Sequence, residues 1–246
     1  MDIEFAQNLF NNINTIYLQP EIGRRIANGL LKDGFRYKIA LIILSIDKEI
    51  IIQFDDEVEA TCEIKVKEGI NKNIGEPVYN NEIESISKVN LPSKYENSAY
   101  IFLFEVNGGY SILFDFRYNK GIRHKQLKTA RDFLMTAESA FNENRDAVFI
   151  DTLFSSVEIL IKIFLLRHPD KNILSKTSHK GIKVKINSFS KLNEFTRPIT
   201  SLYNNLHILR SKARYDGGEF KIEKIAGLSM LKVAKEFEKV ILDEFA

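Results

Sequence analysis

The chain reads as an α+β protein, with an N-terminal β-rich domain of antiparallel sheet and short helices, followed by a C-terminal up-and-down helical bundle. Three observations predict this. Between residues 37 and 118, runs of β-branched and aromatic residues alternate with short polar breaks, the pattern of strands. Beyond "RYNKGIRHK" (117–125) the apolar residues recur at intervals of three and four, the period of amphipathic helices. Charge divides at the same place. Residues 1–120 carry 13 Lys/Arg and 18 Asp/Glu, a net of −5, whereas residues 121–246 carry 22 and 15, a net of +7. An acidic half joined to a basic half marks two domains, 1–120 and 121–246, with different partners.

Asp2 is placed to cap a first helix whose apolar residues Phe5, Leu9, Ile13, Ile16 and Tyr17 keep helical spacing. Pro20 suits the first turn of a second short helix, with Ile22, Ile26 and Leu30 on one side and Gly29 near its end. "YKIALIILSI" (37–46) and "EIIIQF" (49–54), separated at Asp47 and Lys48, read as a hairpin whose apolar runs are too continuous to show a polar face. "EATCEIKVK" (59–67) alternates from Cys62 onward, and "IESISKVNL" (83–91) is a weaker strand. "AYIFLFEV" and "YSILFDFRY" are two aromatic strands joined by Asn107, Gly108 and Gly109, residues that tolerate positive φ in a tight turn. One antiparallel sheet of about five strands is expected.

In the second half, Leu127, Ala130, Leu134, Ala137 and Phe141 mark one helix, and "DAVFIDTLFSSVEILIKIFLLR" (146–167) a second, very apolar one that Pro169 ends. After a basic loop, "GIKVKINSFSKL" (181–192) is a short third helix. Pro198 opens a fourth that runs to Tyr215, and the "DGG" at 216–218 closes it. A fifth, from about Ile222 to Phe245, turns Leu228, Leu231, Ala234, Phe237 and Ile241 inward. Short connections between such helices make a bundle.

Composition excludes several classes. Hydrophobic residues are 44% and charged residues 28%, as in a globular protein rather than a disordered one. Cys62 is alone and the four histidines are scattered, so neither a disulfide framework nor a structural metal site is expected, and no cofactor is implied. The N-terminus is polar and acidic, and no apolar run reaches the ~18–20 residues of a membrane span. A cytoplasmic protein is expected. From Arg167 to Arg214 there are 11 Lys/Arg against Asp170 and Glu194, either a lysine-rich solvated surface or a patch that attracts nucleic acid.

Two helices carry polar residues where apolar ones are expected. On the second bundle helix, Asp151, Ser155, Glu158 and Lys162 are spaced by four, three and four, so at 100° per residue they fall within roughly 60° of one another. This stripe is either the helix's one solvent edge or a seam facing a partner subunit or a ligand cleft. On the fourth, Ile199, Leu202, Leu206, Leu209 and Ala213 define the core face. Tyr203 and Arg210 sit at its edge, on the side that also carries His207 and Arg214. A part-buried guanidinium needs a partner, and Glu158 or Asp151 is the natural carboxylate. Arg214 is expected to be solvated.

Residues 122–246 resemble the HEPN superfamily of small helical bundles. The resemblance rests on "LKTARDFLMTAESAF" followed by "AVFIDTLFSSVEILIKIFLL", on the segment "SHKGIKVKINSF", and above all on "LRSKARYDGG". There the family has an arginine followed four to six residues later by a histidine, just before a turn. In ribonuclease members those two residues meet across a dimer and cut RNA without metal. This chain departs from that pattern, since Arg210 is followed by Tyr215. A tyrosine, with an ordinary pKa of about 10, is a poor general base.

The resemblance therefore implies a homodimer through residues 121–246 that binds RNA or a nucleotide, in the setting of prokaryotic antiviral defence or a toxin–antitoxin system. Arg210, Arg214, Lys212 and the basic 167–191 segment would meet phosphate, with Glu158, Asp151 and Ser155 lining the cleft. Two alternatives stand beside it. One is a non-catalytic dimerisation module whose acidic β-rich half recognises another protein. The other is a metal-independent endoribonuclease in which Arg210 stabilises the transition state and Tyr215 or His207 moves the proton.

Overall fold

The computed structural model describes residues 3–46, 48–106, 108–169, 179–192, 196–215 and 220–243. The chain forms two compact units, Met1–Tyr118 and Asn119–Ala246.

In the first unit, helix α1 (Ile3–Ile13) passes through a π turn, Asn14–Leu18, into α2 (Gln19–Ala27). The two expected helices are thus one helical run. Pro20 is the reason, because its missing N–H cannot bond the carbonyl four residues back. The wider turn ahead of it, closed by the Gln19 N–H on the Asn14 carbonyl, absorbs the mismatch. The shift also turns the face. Ile13, Leu18 and Ile22 are buried, but Phe5 and Ile16, expected inward, are exposed. Leu30 is exposed as well, beyond Gly29, whose φ of +69° carries the chain out of the helix. The expected cap, Asp2, lies outside the described residues.

Among the described residues six strands follow: β1 (Ile39–Leu44), β2 (Ile51–Phe54), β3 (Thr61–Val66), β4 (Ile83–Asn90), β5 (Ala99–Val106) and β6 (Gly109–Asp115). They make two antiparallel sheets rather than one. Four strands pair in the order β2–β1–β5–β6, and β3 with β4 forms a separate ribbon. The division explains the missing polar face of β1. Ala40, Ile42, Ile101 and Leu103 pack with Ile13, Leu18 and Ile22 of the helical run. Leu41, Ile43, Phe102 and Phe104 pack with Ile83 and Val89 of the ribbon. A strand covered on both sides reads as a continuous apolar run. The β5–β6 hairpin closes with Val106 opposite Gly109, and Gly108 has a φ of +80°; Asn107 and the Asp47 of the first hairpin lie outside the described residues.

Among its described residues the second unit is a bundle of five helices: α3 (Lys120–Asn142), α4 (Asp146–Leu166), α5 (His179–Leu192), α6 (Arg197–Tyr215) and α7 (Lys224–Asp243). α4 is central and touches the other four. Val157, Leu160, Ile161, Ile163 and Leu166 on it are fully buried, because residues apolar around most of a helix must be covered on most sides. Its C-terminal end is tied to the start of α3. Asn119, at a left-handed φ of 57°, donates Nδ2–H to the Leu166 carbonyl at 2.8 Å, and the fully buried Arg123 donates Nε–H to the Ile163 carbonyl at 3.0 Å. Carbonyls in the last turn lack helical partners and attract cations. Ser156, also fully buried, bonds the Ala130 carbonyl at 2.8 Å.

The expected short third helix over 181–192 is α5, which begins two residues earlier at His179; residues 170–178 of the basic loop lie outside the described residues, as does the "DGG" at 216–218. On α7, Leu231, Ala234, Phe237 and Ile241 are buried, but Leu228 is exposed and Gly227 takes the inward place. The Phe141 ring lies on that glycine: a Cβ there would fall 2.2 Å from Phe141 Cε2. Among the described residues, no helix is long and apolar enough to cross a membrane.

Gly227→Ala is expected to destabilise the protein, although alanine is favoured over glycine in a helix by about 1 kcal/mol. Phe141 packs at a tilt against the buried Phe149, ring centroids 5.0 Å apart, and cannot withdraw freely, and overpacking of this kind costs about 1–3 kcal/mol. Urea unfolding measures the sign, and a stabilised variant would contradict this packing.

Candidate functional site

The site lies between α4 and α6, closed at one end by the first residue of α5. The polar stripe of α4 does not face open water. Asp151 accepts Nε–H of Arg210 at 2.7 Å and Nη2–H of Arg214 at 2.7 Å. Two helical turns on, Glu158 accepts the hydroxyl of Tyr203 at 3.0 Å and pairs with Nδ1 of His179. Between these carboxylates the buried Phe154 presents its ring. The Arg210 guanidinium carbon lies 4.5 Å from its centroid, and Tyr203 stacks on it at 5.4 Å. A cation over a ring face is attracted by its quadrupole.

These contacts answer the question set by Arg210. Its side chain is 22% exposed and reaches the carboxylate of Asp151, itself 33% exposed, while Glu158 serves Tyr203 and His179 instead. Both distances follow from spacing. Arg210 and Arg214 are one turn apart on α6 and so converge on one residue of the facing helix. Arg214, expected to be solvated, is 43% exposed yet ion-paired. Burial pushes the Asp151 carboxyl up, but the bonds and charges of Arg214 and Arg210 outweigh it and hold the group below the usual carboxylate range. The bond to Asp151 raises Arg214 above its ordinary value. Burial, followed by the charge of Glu158, raises the Tyr203 hydroxyl well above the usual phenol range, so Tyr203 stays neutral and donates.

In front of this layer is an open cavity of about 170 Å³, lined by Phe154, His179, His207, Arg210, Ser211, Arg214 and Tyr215. Four expected residues, Arg210, Tyr215, His207 and Arg214, thus come together. The rings of His179 and His207 stand 5.8 and 6.2 Å from that of Phe154. Tyr215 is 78% exposed at the cavity rim. Asp151 and Glu158 form the layer behind. Two expectations fail. Ser155 spends its hydroxyl on the Asp151 carbonyl at 2.9 Å within its own helix, the usual bond of a mid-helix serine. Lys212 is exposed and does not line the cavity, since its place on α6 lies about 160° from Arg214. The seam is also covered by α5 and α6 of the same chain, which removes the stripe as a reason for a homodimer.

His179, Phe154 and Ser211 were not foreseen. His179 is remote in sequence from α4 and α6, and no spacing within a helix signals it. Among the described residues, no group of three or more His, Cys, Asp or Glu could hold a metal ion. No family model, no curated protein and no solved structure matches this chain.

The two arginines are expected to couple through Asp151. Arg210→Ala costs about 1–2 kcal/mol, less than the ~3–5 kcal/mol of a buried pair broken outright, because Arg214 still holds the carboxylate and water screens it. Removing both leaves Asp151 unpaired, so the double variant loses more than the sum of the singles. Urea unfolding of the two singles and the double checks this, and strict additivity would contradict the shared carboxylate.

Proposed function

We propose that residues 119–246 form a HEPN-like module that binds RNA or a nucleotide phosphate in the cavity between α4 and α6. The observation that carries this reading is the cavity's make-up: two guanidinium groups and two imidazoles around an aromatic floor, with a single carboxylate shared by both arginines. Asp151 uses only Nε of Arg210 and Nη2 of Arg214, so donors remain on each fork for phosphate oxygens. The Tyr215 ring at the rim offers a face on which a base can stack. Lys180, Lys183, Lys185 and Lys191 of α5 extend the positive field beyond the cavity.

A non-catalytic interaction module is the second reading. What favours it is that Asp151 already satisfies both arginines without a ligand. Under either reading a homodimer through this unit would draw on Ile208 and Tyr215, exposed two turns apart on α6. Light scattering distinguishes monomer from dimer.

Binding to single-stranded RNA is expected to weaken steeply as salt rises. Each phosphate contact contributes a slope of about −0.7 in log K against log salt. Arg214→Ala is therefore expected to flatten that slope by about 0.7 while Arg210 keeps its partner. Fluorescence anisotropy across a salt series reads it. An unchanged slope, or no binding at low salt, would leave the interaction module as the better reading.

A further inference from the structure

We infer that β6 is the edge along which two copies of this chain pair, joining their four-stranded sheets across a twofold axis. The inference rests on the first unit alone and is independent of the function proposed for the second. β6 ends the sheet order β2–β1–β5–β6. Its hairpin with β5 closes at Val106 and Gly109, and the residues that close a tight hairpin are a hydrogen-bonded pair. Bonded and non-bonded pairs then alternate along the ladder, so Tyr110, Ile112 and Phe114 turn their N–H and C=O groups away from β5. Among the described residues, none bonds these outward groups.

An unpaired strand edge is a template for another strand, and proteins guard the edges they do not use with short strands, lysines, prolines and bulges. The other edges here are guarded. β2 has four residues, Arg25 donates to the Ile52 carbonyl at 2.7 Å, and Glu57 accepts the Phe54 N–H at 3.3 Å. The β3–β4 ribbon shifts register after Glu63 and again after Lys65, and carries Lys65 and Lys88. β6 has none of these devices. Its register with β5 runs unbroken from Asp115 to Gly109, and the strand holds no lysine or proline.

The side chains fit a second copy. Between α1 and β6 lies an open cleft of about 510 Å³, walled by Ala6, Leu9, Phe10, Tyr110, Ile112 and Phe114, and no residue of its lining is charged. Phe114 and Phe116, stacked at 5.2 Å, are each about half exposed, as is Phe5, one turn before Leu9. A twofold axis at Ile112 sets Ile112 against its own copy, Tyr110 against Phe114 and Gly109 against Asp115, so no like charges oppose each other. Phe114 then lies beside the Tyr110 of the other copy, a ring that already stacks on Phe10 at 5.2 Å. Antiparallel pairing within one sheet puts both α1 helices on the same side, so the two clefts run together over the new junction. Half of a phenylalanine is roughly 100 Å², so the half-exposed rings of the pair offer about 600 Å². The walls of the clefts and two seven-residue edges carry the contact toward the ~1,200 Å² at which specific interfaces begin.

Sedimentation velocity of the full chain at tens of micromolar tests this. The wild type is expected to be a dimer at low and high salt alike, because the contact is apolar. Phe114→Lys is expected to raise the dissociation constant by about tenfold or more, since it puts a charge into a junction that offers it no partner. The far-UV circular dichroism of the folded chain should not change, because the side chain it replaces stands half in water. Phe116→Lys, beyond the end of the strand, is expected to weaken the dimer likewise and serves if the first variant fails to fold. Ile208→Lys on α6 leaves the dimer intact. A wild-type monomer overturns the inference and leaves β6 to an extended segment of another protein. A dimer that survives both phenylalanine variants, or one that is lost in Ile208→Lys, also overturns it.

Discussion

The second unit is organised by the demands of one helix. α4 is apolar on most of its surface and must be covered by protein on nearly every side, yet it carries Asp151 and Glu158 on one narrow strip. Burying a carboxylate without partners is costly, so the helix that covers this strip must bring cations or donors in register with it. α6 does so with Arg210, Arg214 and Tyr203 at the positions of facing turns. The same logic holds at the far end of α4, where Asn119 and Arg123 satisfy its terminal carbonyls. Polar satisfaction therefore sets how α3, α5 and α6 sit along α4, while the apolar contacts supply the bulk of the driving force.

The cavity follows from that arrangement. Asp151 draws Arg210 and Arg214 together, and the Phe154 ring supports the first of them, so the guanidinium groups are held in place before any ligand arrives. Preorganised charge of this kind needs no rearrangement when a phosphate enters. Glu158 does the equivalent for His179. The two carboxylates are one pair of supports under a cationic rim: α6 alone occupies Asp151, through Arg210 and Arg214, whereas α5 and α6 share Glu158, through His179 and Tyr203. Losing either would change the cavity without touching its lining directly.

Much of this was legible in the residues. Spacing within α4 placed Asp151 and Glu158 on one face, and spacing within α6 placed Arg210 at the edge of an apolar face beside Tyr203. What periodicity cannot supply is the axial offset between two helices, and that offset decides whether Arg210 meets Asp151 or Glu158. His179 was invisible for the same reason, as it belongs to a third helix with no fixed distance to the others in sequence. Full burial of Arg123 was hidden because an arginine near a helix start ordinarily reads as surface. In the first unit, the apolar runs of β1 and β2 read as continuous, but a second covering layer from β3 and β4 does not show in the sequence, because which strands pair depends on chain path rather than composition. Pro20 was rightly placed at a helix start, yet the π turn that absorbs it shifted the buried face away from Ile16.

Asp151 is held ionised by two arginines and so ties α4 to α6. Its folded pKa is lowered relative to the ordinary value of 3.8. The sign follows by linkage: the carboxylate's contribution to stability is present above the unfolded value and is lost as pH falls through the folded one. The carbon-13 shift of the Asp151 carboxyl, followed by NMR as the folded protein is acidified, measures this directly. A midpoint below 3.8 is expected, moving back toward it in Arg210→Ala. A midpoint at or above the ordinary value in the wild type would contradict the shared ion pair and the cavity built upon it.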